Sequence, residues 1–116
     1  MNTILHITQR QEWEMAKNLG TYRSHTLASE GFIHCSTTAQ AIGSANRFFK
    51  NQKDLVILVI DIDRVKPELR YEGADTTNLF PHIYGELNID AVVEVIDLES
   101  GADGEFILPQ EMTKLE

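Results

Sequence analysis

"DLVILVIDI", Asp54 to Ile62, is a continuous run of apolar, mostly β-branched residues with aspartates near both ends. Such a run reads as the central strand of a sheet. Its apolar part, Leu55 to Ile60, is far shorter than the ~20 residues that cross a bilayer. The segments downstream decide the kind of sheet. "AVVEVIDL" (Ala91 to Leu98) and "EFILP" (Glu105 to Pro109) are joined by a Gly-Ala-Asp-Gly turn at 101–104 and read as an antiparallel pair. The last third has no room for the crossover helices that parallel strands require, so a doubly wound fold is disfavoured.

Upstream, "TILHIT" (Thr3 to Thr8) and "GFIHCS" (Gly31 to Ser36) read as strands, and "LRYEG" (Leu69 to Gly73) as a shorter one. Thr8 with Gln11 has capping-box spacing and opens a helix over 9–19, with Trp13, Ala16 and Leu19 on one face and Gly20 as its stop. Thr37 with Gln40 repeats that spacing ahead of a helix over 37–50, striped by Ile42, Ala45 and Phe49. The expectation is one domain over 1–116. Its fold class is α+β: a bent, mainly antiparallel split sheet with two main helices.

Composition narrows the function. At 42% hydrophobic residues the chain can bury one core, and its formal net charge of −8 disfavours a nucleic-acid partner. The single cysteine, Cys35, cannot form an internal disulfide. The start, "MNTILHITQRQEWE", lacks the basic and apolar regions of a signal peptide. These features read as a soluble cytoplasmic protein without a membrane segment.

The histidines carry the remaining information. His6 lies within the first strand and His34 within the second, while His82 sits in "NLFPHIYGEL" between Pro81 and a Tyr84-Gly85 turn. His25, in "YRSHTLA", reads as a loop residue. One imidazole among apolar residues is ordinarily a buried group satisfied by a carbonyl, but three in a small domain suggest a shared cleft. Alternation along the strands sets His34 opposite Ile33 and Cys35, with Ser36 on its own face. His6, His34 and His82 are therefore expected to line one concave site, edged by Ser36 and by Tyr22 or Tyr84.

The set "LHIT", "GTY" (Gly20 to Tyr22), "EGFIHCS", "ANRFF" (Ala45 to Phe49), "LVILVID", "FPHIYGEL" and "GEFILP" resembles the bacterial family catalogued as Domain of Unknown Function 952, over nearly the whole chain. The resemblance implies a fold similar to the ADP-ribosyltransferases, whose split sheet encloses an NAD cleft. It implies that His6 contacts the ADP-ribose portion, that Tyr22 or Tyr84 stacks on a ring, and that NAD or a related nucleotide is the substrate or ligand. The late-strand glutamate of those enzymes has no clear counterpart here. Glu94 is flanked by valines, Glu105 adjoins a turn, and Glu86 beside "HIYG" is the nearest substitute.

Other readings use the same residues. An RNA 2′-phosphotransferase-like site would enlist Arg23 and Arg47 for phosphate. A non-catalytic nucleotide or metabolite module would use the histidine face for recognition alone. A three-histidine metal site has suitable ligands but no short ligand motif, so no metal is assigned. Cys35 as a nucleophile would need a nearby helix N-terminus or cation, and otherwise is a small buried hydrophobe.

Overall fold

The computed structural model describes residues 2–110. In chain order the elements are β1 (Thr3–Gln9), α1 (Arg10–Leu19), β2 (Thr21–Tyr22), α2 (His25–Glu30), β3 (Ile33–His34) and α3 (Ala41–Phe48). They continue with β4 (Leu55–Asp61), β5 (Glu68–Glu72), β6 (Phe80–Tyr84), β7 (Leu87–Asn88) and β8 (Val92–Leu98). The strands form three antiparallel sheets: β1-β4-β8, β2-β7 and β3-β6-β5. The architecture is α+β with mainly antiparallel strands, as the sequence implied.

Every residue of β4 is buried. The cause is a layer on each face of its sheet. Leu5, Ile7, Leu55, Ile57, Val59, Ile96 and Leu98 pack with Ala41 and Ala45 of α3 and with Phe106. Ile4, Val56, Leu58 and Ile60 pack on the other face with Trp13 and Ala16 of α1 and with Ile33, Cys35 and Ile83. Trp13 and Ala16 thus carry the apolar face of α1, whereas Leu19 is 76% exposed. Gly20 ends this helix in the left-handed region (φ 91°), donating its N–H to the Ala16 carbonyl.

Several local expectations are corrected. Thr8 does not cap α1: it remains in β1, and Gln9 precedes the helix without a side-chain cap. The Thr37–Gln40 pair closes a turn instead. The Thr37 N–H donates to Gln40 Oε1 at 3.0 Å and the Gln40 N–H to the Thr37 carbonyl at 3.1 Å, so α3 starts only at Ala41. His25 opens α2 rather than lying in a loop. "FPHIYG" contributes the middle strand of β3-β6-β5, a place that Pro81 argues against because proline lacks a ladder donor.

"EFILP" is not a strand. It makes one bridge, Ser100 to Phe106, and its further backbone demand is met by a side chain. The Phe106 N–H donates to Asn46 Oδ1 at 2.6 Å, and Asn46 Nδ2 donates to the Phe106 carbonyl at 3.1 Å. An asparagine of α3 takes the place of a neighbouring strand.

"GFIHCS" is strand only at Ile33–His34. The chain then changes sheets. The Cys35 N–H still donates to the Pro81 carbonyl of β6 at 3.0 Å, whereas Ser36 exchanges two 2.7 Å backbone bonds with Leu5 of β1. This crossing holds the β3-β6-β5 sheet against the central one.

The two-faced core has a measurable consequence. Ile57→Ala and Leu58→Ala, pointing to opposite layers, are each expected to cost about 2–5 kcal/mol, against less than about 1 kcal/mol for the more exposed Val95→Ala. Urea unfolding of the three variants reads this directly. A small loss at Ile57 alone would mean that α3 and Phe106 do not build a second core layer.

Candidate functional site

The register of β3-β6-β5 sets two rows across the sheet. Ile33, Ile83 and Leu69 pair in one, and His34, His82 and Arg70 in the next. Because successive side chains point to opposite faces, the aliphatic row goes inward and the histidine–arginine row outward. Tyr84 and Glu72 fall on the outward face by the same period, and Phe32 reaches it from just before β3.

These side chains touch one another. The Phe32 ring stacks on His82 with centroids 4.1 Å apart and planes at 19°. The His34 ring stands edge-on to His82 at 5.2 Å. Tyr84 lies 5.2 Å from Phe32, with the Arg70 guanidinium 4.4 Å over its ring. Glu72 ties the group together: its Oε1 accepts from His82 Nδ1 at 2.9 Å and from the Tyr84 hydroxyl at 2.5 Å. The Tyr84 and His82 hydrogen bonds hold the Glu72 carboxyl below its ordinary range, and the bond to Glu72 in turn raises Tyr84. At the margins Glu30 accepts from His34 Nε2 at 3.1 Å, and Arg70 forms a two-pronged pair with Glu68 at 2.8 and 3.1 Å.

His6 lies beneath this face, not on it. Its Nδ1 is 2.5 Å from the His34 backbone carbonyl and its Nε2 is 2.7 Å from the Tyr22 hydroxyl, which also contacts Thr8 Oγ1 at 3.0 Å. A carbonyl only accepts, so Nδ1 carries the proton. Burial lowers the His6 pKa to about 4, which keeps the ring neutral and leaves Nε2 to accept from Tyr22. Each hydroxyl has a single proton, so Thr8 supplies the one shared with Tyr22. Desolvation pushes Tyr22 up to about 12, which keeps its phenol protonated.

The structure therefore brings His34, His82 and Tyr84 together and sets His6 with Tyr22 one layer below, joined to them through the His34 carbonyl. Ser36 does not share the His34 face. It is buried and donates to Ser44 Oγ at 3.1 Å, because the chain has by then left β3 for β1. Cys35 is buried, and burial pushes its thiol up, away from thiolate chemistry. Glu86 is held by Thr21 and Arg23, Glu105 pairs with Lys50, and Arg47 stacks on Phe48. Among the described residues no group of three or more His, Cys, Asp or Glu is placed to hold a metal ion.

Sequence patterns alone do not single out Glu72, Arg70 or Phe32. The signal for the first two lies in "ELRYEG": alternation puts Glu68, Arg70 and Glu72 on one face against Leu69 and Tyr71, a polar face that acquires meaning only when His82 is known to be on the neighbouring strand.

The chain belongs to the family described as "Protein of unknown function (DUF952)", whose model matches residues 7–95. It is similar to protein CC0527 from Caulobacter crescentus. The crystal structure of that protein is 32% identical, covers 97% of this chain and 99% of its own, and has a TM-score of 0.88. Its solution NMR structure, at 34% identity over the whole of both chains, has a TM-score of 0.78. No protein of curated function matches. Among the described residues no helix is long and apolar enough to cross a membrane.

The depressed His6 pKa fixes a pH dependence. The unfolded chain, near 6.5, takes up the proton before the folded one does, so this contribution is complete above that pH and lost as pH falls towards 4. Stability is expected to drop by about 2 kcal/mol from about pH 7 to about pH 5 on this account. Urea unfolding across that range should show the slope, and His6→Gln should flatten it while lowering stability throughout. An unchanged slope in His6→Gln would assign the acid sensitivity elsewhere.

Proposed function

We propose that this DUF952 chain binds a nucleotide of the NAD or ADP-ribose class on the β3-β6-β5 face and acts on it as an ADP-ribosyltransferase-like transferase. The observation that carries the reading is the cross-strand His34–His82 pair, flanked by Phe32 and Tyr84, with His34 about half exposed and His82 largely covered. Flat rings suit a base or nicotinamide, imidazoles suit ribose hydroxyls and proton transfer, and Arg70 would exchange its Glu68 partner for a phosphate. The split antiparallel architecture agrees with the ADP-ribosyltransferase-like fold that the motifs imply.

In this reading His82 is the base. Among the described residues no buried side-chain N or O lacks a partner. His82 Nε2 has no hydrogen-bond partner among them and is not fully buried, on a side chain that is 13% exposed. When an acceptor hydroxyl attacks the anomeric carbon, the bond to nicotinamide breaks, nicotinamide leaves with the electron pair, and His82 Nε2 takes the acceptor's proton. His6 has both nitrogens engaged within the protein. Its part is to hold the His34 backbone from below, and the ADP-ribose contact passes to the outer residues.

Thermal-shift titration with NAD, ADP-ribose and nucleoside phosphates at millimolar concentration tests the binding. At least one should raise the melting temperature. His82→Ala should weaken that ligand roughly fivefold, the equivalent of about 1 kcal/mol, while the variant stays folded. Mass analysis for nicotinamide released from NAD tests the transfer. Binding without release leaves the face a recognition module, and no shift with any of these compounds removes the nucleotide reading.

A further inference from the structure

We infer that Glu72 is a positioning residue that locks His82 in the Nδ1-protonated tautomer and so leaves a bare Nε2 on the outer face of the sheet. The inference rests on the reading of His82 as a base and specifies how the protein makes it one.

For a neutral His82 the geometry admits one arrangement of protons. Glu72 Oε1 lies 2.9 Å from His82 Nδ1 and 2.5 Å from the Tyr84 hydroxyl. An ionised carboxylate only accepts, so both neighbours donate to the same oxygen. A neutral His82 that donates through Nδ1 carries no proton on Nε2. A neutral histidine side chain free in water prefers the opposite tautomer, protonated at Nε2, so the site imposes the less common form. Phe32, stacked at 4.1 Å, holds the ring plane, and backbone pairing with His34 and Arg70 fixes the strand. Tyr84 orients the carboxylate in the same way that the carboxylate orients His82. The second carboxylate oxygen, Oε2, has no hydrogen bond among the described residues; Glu72 is half-buried, so that oxygen too faces solvent.

The rest of the face does not compete for this role. Glu30 is engaged by His34 and Glu68 by Arg70. Glu72 is the carboxylate that reaches His82, and it reaches the nitrogen on the side away from the proposed chemistry.

Long-range nitrogen–carbon NMR of the imidazoles, on protein labelled with ¹⁵N and ¹³C near pH 8 without ligand, reads the tautomer directly. In the wild type His82 should show a protonated Nδ1 and a bare Nε2. Glu72→Ala should move His82 towards Nε2 protonation while leaving the buried His6 protonated at Nδ1, which serves as an internal control of the fold. Should Glu72→Ala fail to fold, Tyr84→Phe loosens the carboxylate without removing it, and a partial shift of the His82 tautomer is then expected. An Nε2-protonated His82 in the wild type, or an unchanged tautomer in the folded variant, overturns the inference. The measurement needs no nucleotide, so a failure of the ligand titration leaves this result standing, and a failure here leaves the titration to be judged by itself.

Discussion

Two backbone hydrogen bonds, exchanged between Leu5 and Ser36, hold the arrangement together. They lie two residues past the His34–His82 pairing, so within a few residues the chain serves two sheets. Without that exchange, only side-chain packing and the His6 bond would fix the height of β3 above the central sheet. The buried imidazole completes the join: it supplies a donor to a carbonyl that the crossing leaves outside regular pairing. An unmet buried carbonyl costs on the order of 1–3 kcal/mol, which is reason enough for a histidine in an aliphatic strand.

The legible part of the fold is the part governed by hydrophobic pattern. "LVILVID" and "TILHIT" declare their burial in composition alone, and a β4 buried on both faces needs layers on both sides. What the pattern conceals is long-range satisfaction of polar groups. Thr8 looks like a cap because its spacing to Gln11 fits one, yet Tyr22 claims its hydroxyl across a distance in sequence that no local rule sees. "EFILP" has strand composition, but its backbone finds an amide side chain before it finds a strand. Pro81 argues against a central strand and sits in one; its missing N–H is tolerated there while its carbonyl takes the Cys35 donor.

The candidate site shows the same division. Histidines are conspicuous in the sequence, and two of the three share a face. Alternation holds through Ile33 and His34 and fails by Ser36, because the strand has already ended there. Glu72 is invisible for a different reason. A carboxylate in an exposed strand reads as a solubilising group unless its cross-strand neighbours are known, and those neighbours come from a segment that looks like a turn. Electrostatics then separates the two layers of the site. Below, desolvation keeps His6 neutral and Tyr22 protonated; above, hydrogen bonds keep Glu72 charged. The lower layer is buried and neutral, and the upper layer is partly exposed and carries charge.

The Asn46 clamp on Phe106 shows how unevenly this fold is secured. A paired strand distributes its attachment over many backbone groups, whereas the segment after Ser100 is held by the Asn46 amide, the buried Phe106 ring, Leu108 on the core and a few contacts with Lys50 and Asn51. Only asparagine, with a donor and an acceptor at the right reach, meets both the N–H and the C=O of Phe106. Aspartate would lose the donor, and leucine both partners. A segment with so little backbone pairing is where opening with β1, β4 and β8 still closed is expected to cost least, and its amide exchange rates would show it.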